Sequence, residues 1–158
     1  MEEIILEDKQ AMIFLNNLGS STFDPFWILV SEKWFWIPLY VIFLYFLYKN
    51  FNKKSLFYIL LFVALGITAS DQIANIFKFG FERLRPCHDP SLEGLLREVK
   101  CGGKFGFYSA HSSNSFFVAT YLTMLLGKKI KQLPYFLFVW AAIVAYSRVY
   151  LGMHFPGD

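Results

Sequence analysis

Three groups of polar residues interrupt an otherwise apolar chain, and each could handle a phosphate. The densest lies in the last twelve residues, where Ser147 and Arg148 are followed by His154 and Asp158. Arg148 offers a planar fork of donors suited to phosphate. His154 can act as nucleophile or proton carrier near neutral pH. Asp158, four residues later, could hold one ring nitrogen and leave the other free to react. Upstream, Lys78 and Arg85 are seven residues apart and Pro86 follows. If the helix carrying Lys78 continues, both side chains face the same way about 10 Å apart at Cα and can converge on one anion. Between these groups lies Tyr108-Ser109-Ala110-His111. Ser109 suits a helix N-cap, which would leave the N–H groups of Ala110 and His111 pointing outward as an anion site. His111, in the first turn, could then give a proton to whatever binds there.

Taken singly, each group has a plainer structural explanation. Lys78 and Arg85 could be interfacial residues snorkelling at the end of a span. Ser109 and His111 could be a capped helix with a surface histidine, and Arg148 and His154 a helix end followed by a loop. Whether they form one site depends on the elements that position them.

Those elements are the spans of a bilayer protein. Of 158 residues, 56% are apolar and 20% aromatic, with 19 Phe, and the charges cluster between long apolar stretches. A soluble domain with an aromatic core needs more polar surface than this. The length suits one domain, residues 1–158. A formal net charge of +3 is too small to imply nucleic acid, and the acidic start, Met1-Glu2-Glu3, lacks the basic region of a secretory signal.

Residues 1–20 contain an amphipathic segment, with Ile5, Met12, Leu15 and Leu18 at helical spacing; it is too polar and too short to span, and predicts an interfacial helix. Spans are predicted at about 26–48, 55–77, 108–126 and 133–147. The first is interrupted by Glu32 and Lys33. Its apolar core, Trp34–Tyr48, extends about 22 Å, slightly short of about 30 Å of hydrocarbon. The fourth carries Ala141, Ala142 and Ala145, a small-residue seam for close helix packing.

Two short turns between spans are basic, Lys49–Lys54 and Lys128–Lys131. Basic turns stay in the cytoplasm, so the loop Lys78–Phe107 and the tail after Ser147 fall on the outer side. All three polar groups then lie at one membrane face, and one site explains them better than three coincidences. The expected fold is all-α: a polytopic membrane helical bundle with an N-terminal interfacial helix and an extracytoplasmic active site.

At this point the chain resembles the type 2 phosphatidic acid phosphatase superfamily of membrane lipid phosphatases, which is related to the vanadium haloperoxidases. That family's pattern is Lys-x6-Arg-Pro, then Pro-Ser-Gly-His, then Ser-Arg-x5-His-x3-Asp. Here Lys78, Arg85 and Pro86 fit the first motif, and Ser147, Arg148, His154 and Asp158 the third. The second keeps Ser109 and His111, with Tyr108 in place of Pro and Ala110 in place of Gly.

The resemblance implies that His154 attacks the phosphorus to give a phosphohistidine, that Asp158 orients His154, and that His111 protonates the leaving oxygen. It implies that Lys78, Arg85, Arg148, Ser109 and the Ala110 N–H hold the phosphoryl oxygens. No metal or other cofactor is expected, and the chain shows no acidic cluster of the kind Mg²⁺ uses. The substrate would be a lipid phosphate or diphosphate: an isoprenoid carrier diphosphate, phosphatidylglycerophosphate, phosphatidic acid or a lipid A phosphate. The setting would be a bacterial inner membrane with the site facing the periplasm or exterior. Membrane lipids are the expected surroundings, and no oligomeric state is indicated.

Other residues carry supporting roles. Asp71, Asn75 and Lys78 share a helix face, which suggests that Asp71 holds Lys78 or an arginine. Cys87 and Cys101 would form a disulfide in an oxidising compartment. Glu93, Arg97, Glu98 and Lys100 read as solvated, with Arg97 open to a head-group role. Pro156 suits the first turn of a further helix, and family members continue into at least one more span, so a partial chain is expected, with Asp158 as its mobile end. Two rival functions remain at this level: a lipid-phosphate binding or transport protein without turnover, which the complete His111, His154 and Asp158 set opposes, and a haloperoxidase, which the membrane spans oppose.

Overall fold

The structure, a computed structural model, describes residues 2–158. Among them run six α-helices joined by short 3₁₀ turns: α1 Glu2–Asn17, α2 Asp24–Ser31, α3 Ile37–Asn50, α4 Lys53–Phe81, α5 Ala110–Leu126 and α6 Leu133–Tyr150. The only β pairing among the described residues is an isolated bridge between Leu84 and Phe105. This is the all-α membrane bundle that the composition predicts.

α4 is the longest helix. The Asn52 side chain caps its start, accepting from the Ser55 N–H at 2.8 Å. It runs 29 residues, or about 44 Å, longer than a hydrocarbon core is thick. It stops where Glu82 turns into the left-handed region at φ 49°. Lys78 therefore sits in the outermost turn of α4.

The first predicted span, 26–48, is not one helix. Glu32 is extended (φ −83°, ψ 131°), and α2 and the segment Lys33–Asn50 meet there at 73°. The reason is chemical: Glu32 and Lys33 favour water, and Pro38 cannot continue a helix from upstream. The break is stabilised by Trp36, whose indole N–H donates to the carbonyl of Val30 at 2.8 Å, a group that the end of α2 would otherwise leave unpaired. α4 and α6 are each long and apolar enough to cross a membrane, and the bent pair makes a third crossing if its two halves count as one. α5, with 17 residues, is shorter.

α5 and α6 pack around Ala119, Leu122, Leu126, Leu137, Ala141 and Val144, all buried. Of the three alanines expected to form a seam, Ala141 is buried, while Ala142 is exposed. Trp140 of α6 takes edge-on contacts from Trp36, Tyr40 and Phe43, which fastens α3 to the α5–α6 pair. On the far side, α4 leaves Phe57, Leu65 and Ile76 exposed, as a lipid-facing helix would. The two basic turns meet at one end of the bundle, where Lys129 Nζ donates to the Asn50 carbonyl at 3.3 Å.

α1 crosses the opposite end. Met12 is fully buried against Leu92, Val149 and Phe155. Asn16 is fully buried beside it, donating to the Tyr150 carbonyl at 2.8 Å and accepting from the Arg97 N–H at 2.7 Å. The predicted apolar face is therefore divided: Met12 enters the core, whereas Ile5 and Leu18 are exposed.

Candidate active site

The three polar groups come together at the end of the bundle opposite the two basic turns. Lys78, Arg85, Ala110, His111, Arg148 and His154 all line one cavity of about 670 Å³. Each is delivered by a different local device. Lys78 occupies the last full turn of α4. Arg85 follows on an extended linker, with φ −71° and ψ 158°. Ala110 and His111 open α5, and Arg148 is in the last turn of α6. His154 lies on the loop beyond, which turns through Gly152 at φ 81°.

Both buried arginines are braced. Arg85 donates Nε to the Phe105 carbonyl at 3.1 Å and Nη1 to the Met153 carbonyl at 3.3 Å. Burial lowers its pKa from the usual value, and the nearby Asp158 opposes the shift. Arg148 donates Nη1 to the Ser31 hydroxyl. Its Nε is buried with no protein partner among the described residues, so the guanidinium keeps an unmet donor, a state that costs free energy until an acceptor arrives.

His154 is 2% exposed. Its Nδ1 lies 3.2 Å from Asp158 Oδ2, which assigns the ring proton to Nδ1 and leaves Nε2 with a free lone pair. Burial lowers its pKa to about 4, with Arg85 and Arg148 acting in the same direction and Asp158 against it. The ring is neutral at physiological pH and can act as a nucleophile.

Asp158 is not a mobile end. Its side chain is fully buried. One oxygen accepts from Arg83 Nη1 at 2.9 Å, and the other from the Phe155 N–H at 3.0 Å. Its carbonyl accepts from the Ser109 N–H at 2.9 Å, which ties the second and third motifs together. The expectation of mobility is corrected by the side-chain bonds to Arg83 and Phe155, which supply the restraint.

Other predicted residues take different places. Ser109 is buried beneath the site and does not line the cavity. Its Oγ accepts from the Ser112 hydroxyl at 3.0 Å and from the Ser112 N–H at 3.4 Å, so it serves as the cap of α5. Asp71 and Asn75 both line the cavity, but Asp71 accepts from Asn114 Nδ2 of α5 at 2.9 Å rather than holding Lys78 or an arginine. A neutral amide one helix away meets it first.

Arg97 and Lys100 are not simply solvated. Arg97 donates to both Asp24 oxygens at 2.8 and 2.9 Å, and Lys100 pairs with Glu32 at 2.6 Å. These pairs fasten the loop between α4 and α5 to the two ends of α2, at Asp24 and at Glu32. Cys87 and Cys101 are joined as a disulfide, next to Arg85 on one side and the cavity-lining Gly102 on the other. With His88 they form the one Cys/His cluster dense enough for a metal among the described residues, but bonded sulfurs are not thiolate ligands.

Sequence reasoning missed Ser31, Asn114, Arg83 and Asp8. Ser31 had a weak signal, a hydroxyl beside charges in an apolar run. Arg83 had none that separates it from an ordinary flanking arginine.

The PAP2 superfamily model matches residues 57–158. The chain is 38% identical over 155 residues to a lipid A 4'-phosphatase of Bacteroides thetaiotaomicron, covering 96% of this chain and 68% of that protein. It is 35% identical over 164 residues to a lipid A 4'-phosphatase of Porphyromonas gingivalis, covering all of this chain and 67% of that one. Among solved structures, a PAP2 type phosphatidylglycerolphosphate phosphatase from Bacillus subtilis aligns with a TM-score of 0.74 at 22% identity, covering 100% of this chain and 78% of that chain. Aquifex aeolicus LpxE aligns at 0.70 and 25% identity, covering 94% and 83%.

Proposed function

The chain belongs to the PAP2 superfamily and is a membrane lipid phosphatase, and on that premise we propose that it removes a phosphate from lipid A at the outer face of the membrane. The observation that carries the chemistry is the buried, neutral His154 backed by Asp158 at the cationic end of an amphipathic cavity. From that end the cavity runs between Leu44 of α3 and Leu60, Val63 and Ile67 of α4, an apolar wall suited to an acyl chain. The two relatives named for lipid A favour that substrate over phosphatidic acid, phosphatidylglycerophosphate or an isoprenoid diphosphate.

His154 Nε2 attacks the phosphorus as the bond to the leaving oxygen breaks, and His111 gives that oxygen its proton. Asp158 stabilises the charge that develops on the ring. Water then attacks the phosphohistidine, His111 takes its proton, and inorganic phosphate leaves with His154 restored. Lys78, Arg85, Arg148 and the Ala110 N–H stabilise the equatorial oxygens, and the unmet Arg148 Nε gains an acceptor. A donor set this cationic repels a divalent metal, so turnover should survive excess chelator.

Phosphate release from a panel of lipid phosphates in detergent, with chelator present, tests this. Lipid A bisphosphate should be the best substrate, and trapping should place radiolabelled phosphate on His154. A preference for phosphatidic acid, or loss of turnover on chelation, would refute the corresponding part.

A further inference from the structure

Two arginines, two residues apart, grip opposite sides of the loop that carries His154. Arg85 faces the cavity and reaches the Met153 carbonyl. Arg83 faces away, into a groove beneath α1. We propose that Arg83 and Asp8 are positioning residues that hold the Asp158 carboxylate on His154, so that α1 belongs to the catalytic apparatus. The proposal rests on the reading of His154 as nucleophile and Asp158 as its partner.

The Arg83 guanidinium is shared between two carboxylates. Nη1 donates to Asp158 Oδ1 at 2.9 Å and Nη2 to Asp8 Oδ2 at 2.5 Å. Its carbon lies 4.3 Å from the centroid of the Phe155 ring. The other Asp8 oxygen accepts from the Gly157 N–H at 2.8 Å. Three of these four contacts reach the segment 155–158, which presents Asp158, and the fourth joins Arg83 to Asp8.

The Asp158 side chain is fully buried, so its orientation depends on these few bonds. Arg83 and Asp8 keep 26% and 12% of their side chains exposed, so the network is partly buried and removing one partner leaves another charge unpaired. The pairs also impose a geometry: with Arg83 Nη1 on Oδ1 and the histidine on Oδ2, the Asp158 carboxylate is held against rotation, and Asp8 holds the other arm of the guanidinium in place. The arrangement extends to α1, which lies outside the segment 57–158 matched by the family model.

The charges give the proposal a signature that mere bracing of the loop would lack. The ionisable groups around His154 are Asp158 on its own loop, Arg85 after α4, Lys78 on α4, His111 on α5 and Arg148 on α6, with Arg83 and Asp8 behind Asp158. Removing the positive charge of Arg83 strengthens the pull of Asp158 on a ring proton, so His154 should protonate at higher pH. Removing the negative charge of Asp8 frees Arg83 to neutralise Asp158, so His154 should protonate at lower pH.

The test uses the full chain in detergent, with lipid A bisphosphate or, if that is not turned over, phosphatidic acid. Arg83→Gln should lower kcat roughly ten- to a hundredfold, the loss expected for a hydrogen bond to a charged group, with KM within about twofold. The acid limb of its pH–rate profile should move up, and Arg83→Lys should recover part of the loss. Asp8→Asn should lose less and move the limb down. Glu7→Gln, an exposed neighbour on the same helix, should do neither.

Wild-type kcat and an unmoved acid limb in Arg83→Gln and Asp8→Asn, with His154→Asn inactive, would overturn the proposal and leave the reading of the site intact. An effect confined to KM would also overturn it. If Arg83→Gln fails to fold, Asp8→Asn decides alone. Turnover in His154→Asn would instead refute the reading on which the proposal rests.

Discussion

At the polar end of the cavity Arg85 rests on two carbonyls, Arg148 on Ser31 and His154 on Asp158. At the apolar end Leu44, Leu60, Val63 and Ile67 have only the helices that carry them. Each end suits what it meets. A phosphoryl group in transfer needs donors placed to a fraction of an ångström, and the chain obtains this by giving each side chain a second anchor. A hydrocarbon tail needs apolar surface of roughly the right width. Two helices that stand apart provide it, with Leu44 43% and Leu60 41% exposed where the cavity reaches the flank of the bundle.

Substitutions at the two ends should therefore differ in kind as well as size. The largest expected effect is at His154. His154→Asn should cut kcat by at least about 10⁴-fold, since removing one member of a unit that acts together costs nearly as much as removing all of it. Phosphate release and the loss of a trapped phosphoenzyme would read this out. Arg85→Gln should follow, lowering kcat/KM by about 10² to 10³ through lost transition-state charge stabilisation.

At the apolar end, Val63→Trp should leave kcat on a short, soluble phosphate ester unchanged. On a long-chain substrate it should raise KM about tenfold or more, because displaced methylenes cost about 1–3 kcal/mol each. A kcat defect on the soluble ester would break the contrast between the ends.

The pH dependence sharpens it. His154 is neutral down to about pH 4, so kcat/KM should lose activity on the acid side around that value. Stability should respond earlier. The unfolded chain takes up this proton near 6.5 and the folded one only near 4, so the group's contribution is complete above 6.5 and is lost as pH falls between the two values. Thermal unfolding followed from pH 7 to pH 4 would show it.

The smallest effect concerns α1. Asn16→Leu leaves the Tyr150 carbonyl and the Arg97 N–H buried without partners, at about 1–3 kcal/mol each. It should lower Tm by several degrees and disturb activity only through α1.

How much of this was legible in the sequence depends on distance along the chain. Lys78 and Arg85, or His154 and Asp158, are close enough for helical or loop spacing to place them together, and the basic turns at Lys49–Lys54 and Lys128–Lys131 oriented the spans that bring the groups to one end. The break at Glu32 showed as two charges in an apolar run, but its 73° angle did not, because that depends on Trp36 reaching Val30. Nothing local pairs Asp8 with Arg83, or Ser31 with Arg148: both meetings follow from tertiary packing over 75 and 117 residues. Asp71 shows the opposite failure. Its helix face points towards Lys78, but Asn114 on the neighbouring helix is the group it bonds.

The flank opening at Leu44 and Leu60 has a kinetic meaning. A substrate that enters between α3 and α4 arrives by diffusion in the plane of the bilayer, with its tail never leaving hydrocarbon. Its relevant concentration is then a surface density. Diluting the lipid phosphate with inert detergent at constant bulk concentration should slow turnover in proportion to mole fraction, and adding more mixed micelles of fixed composition should cease to matter once the protein is incorporated.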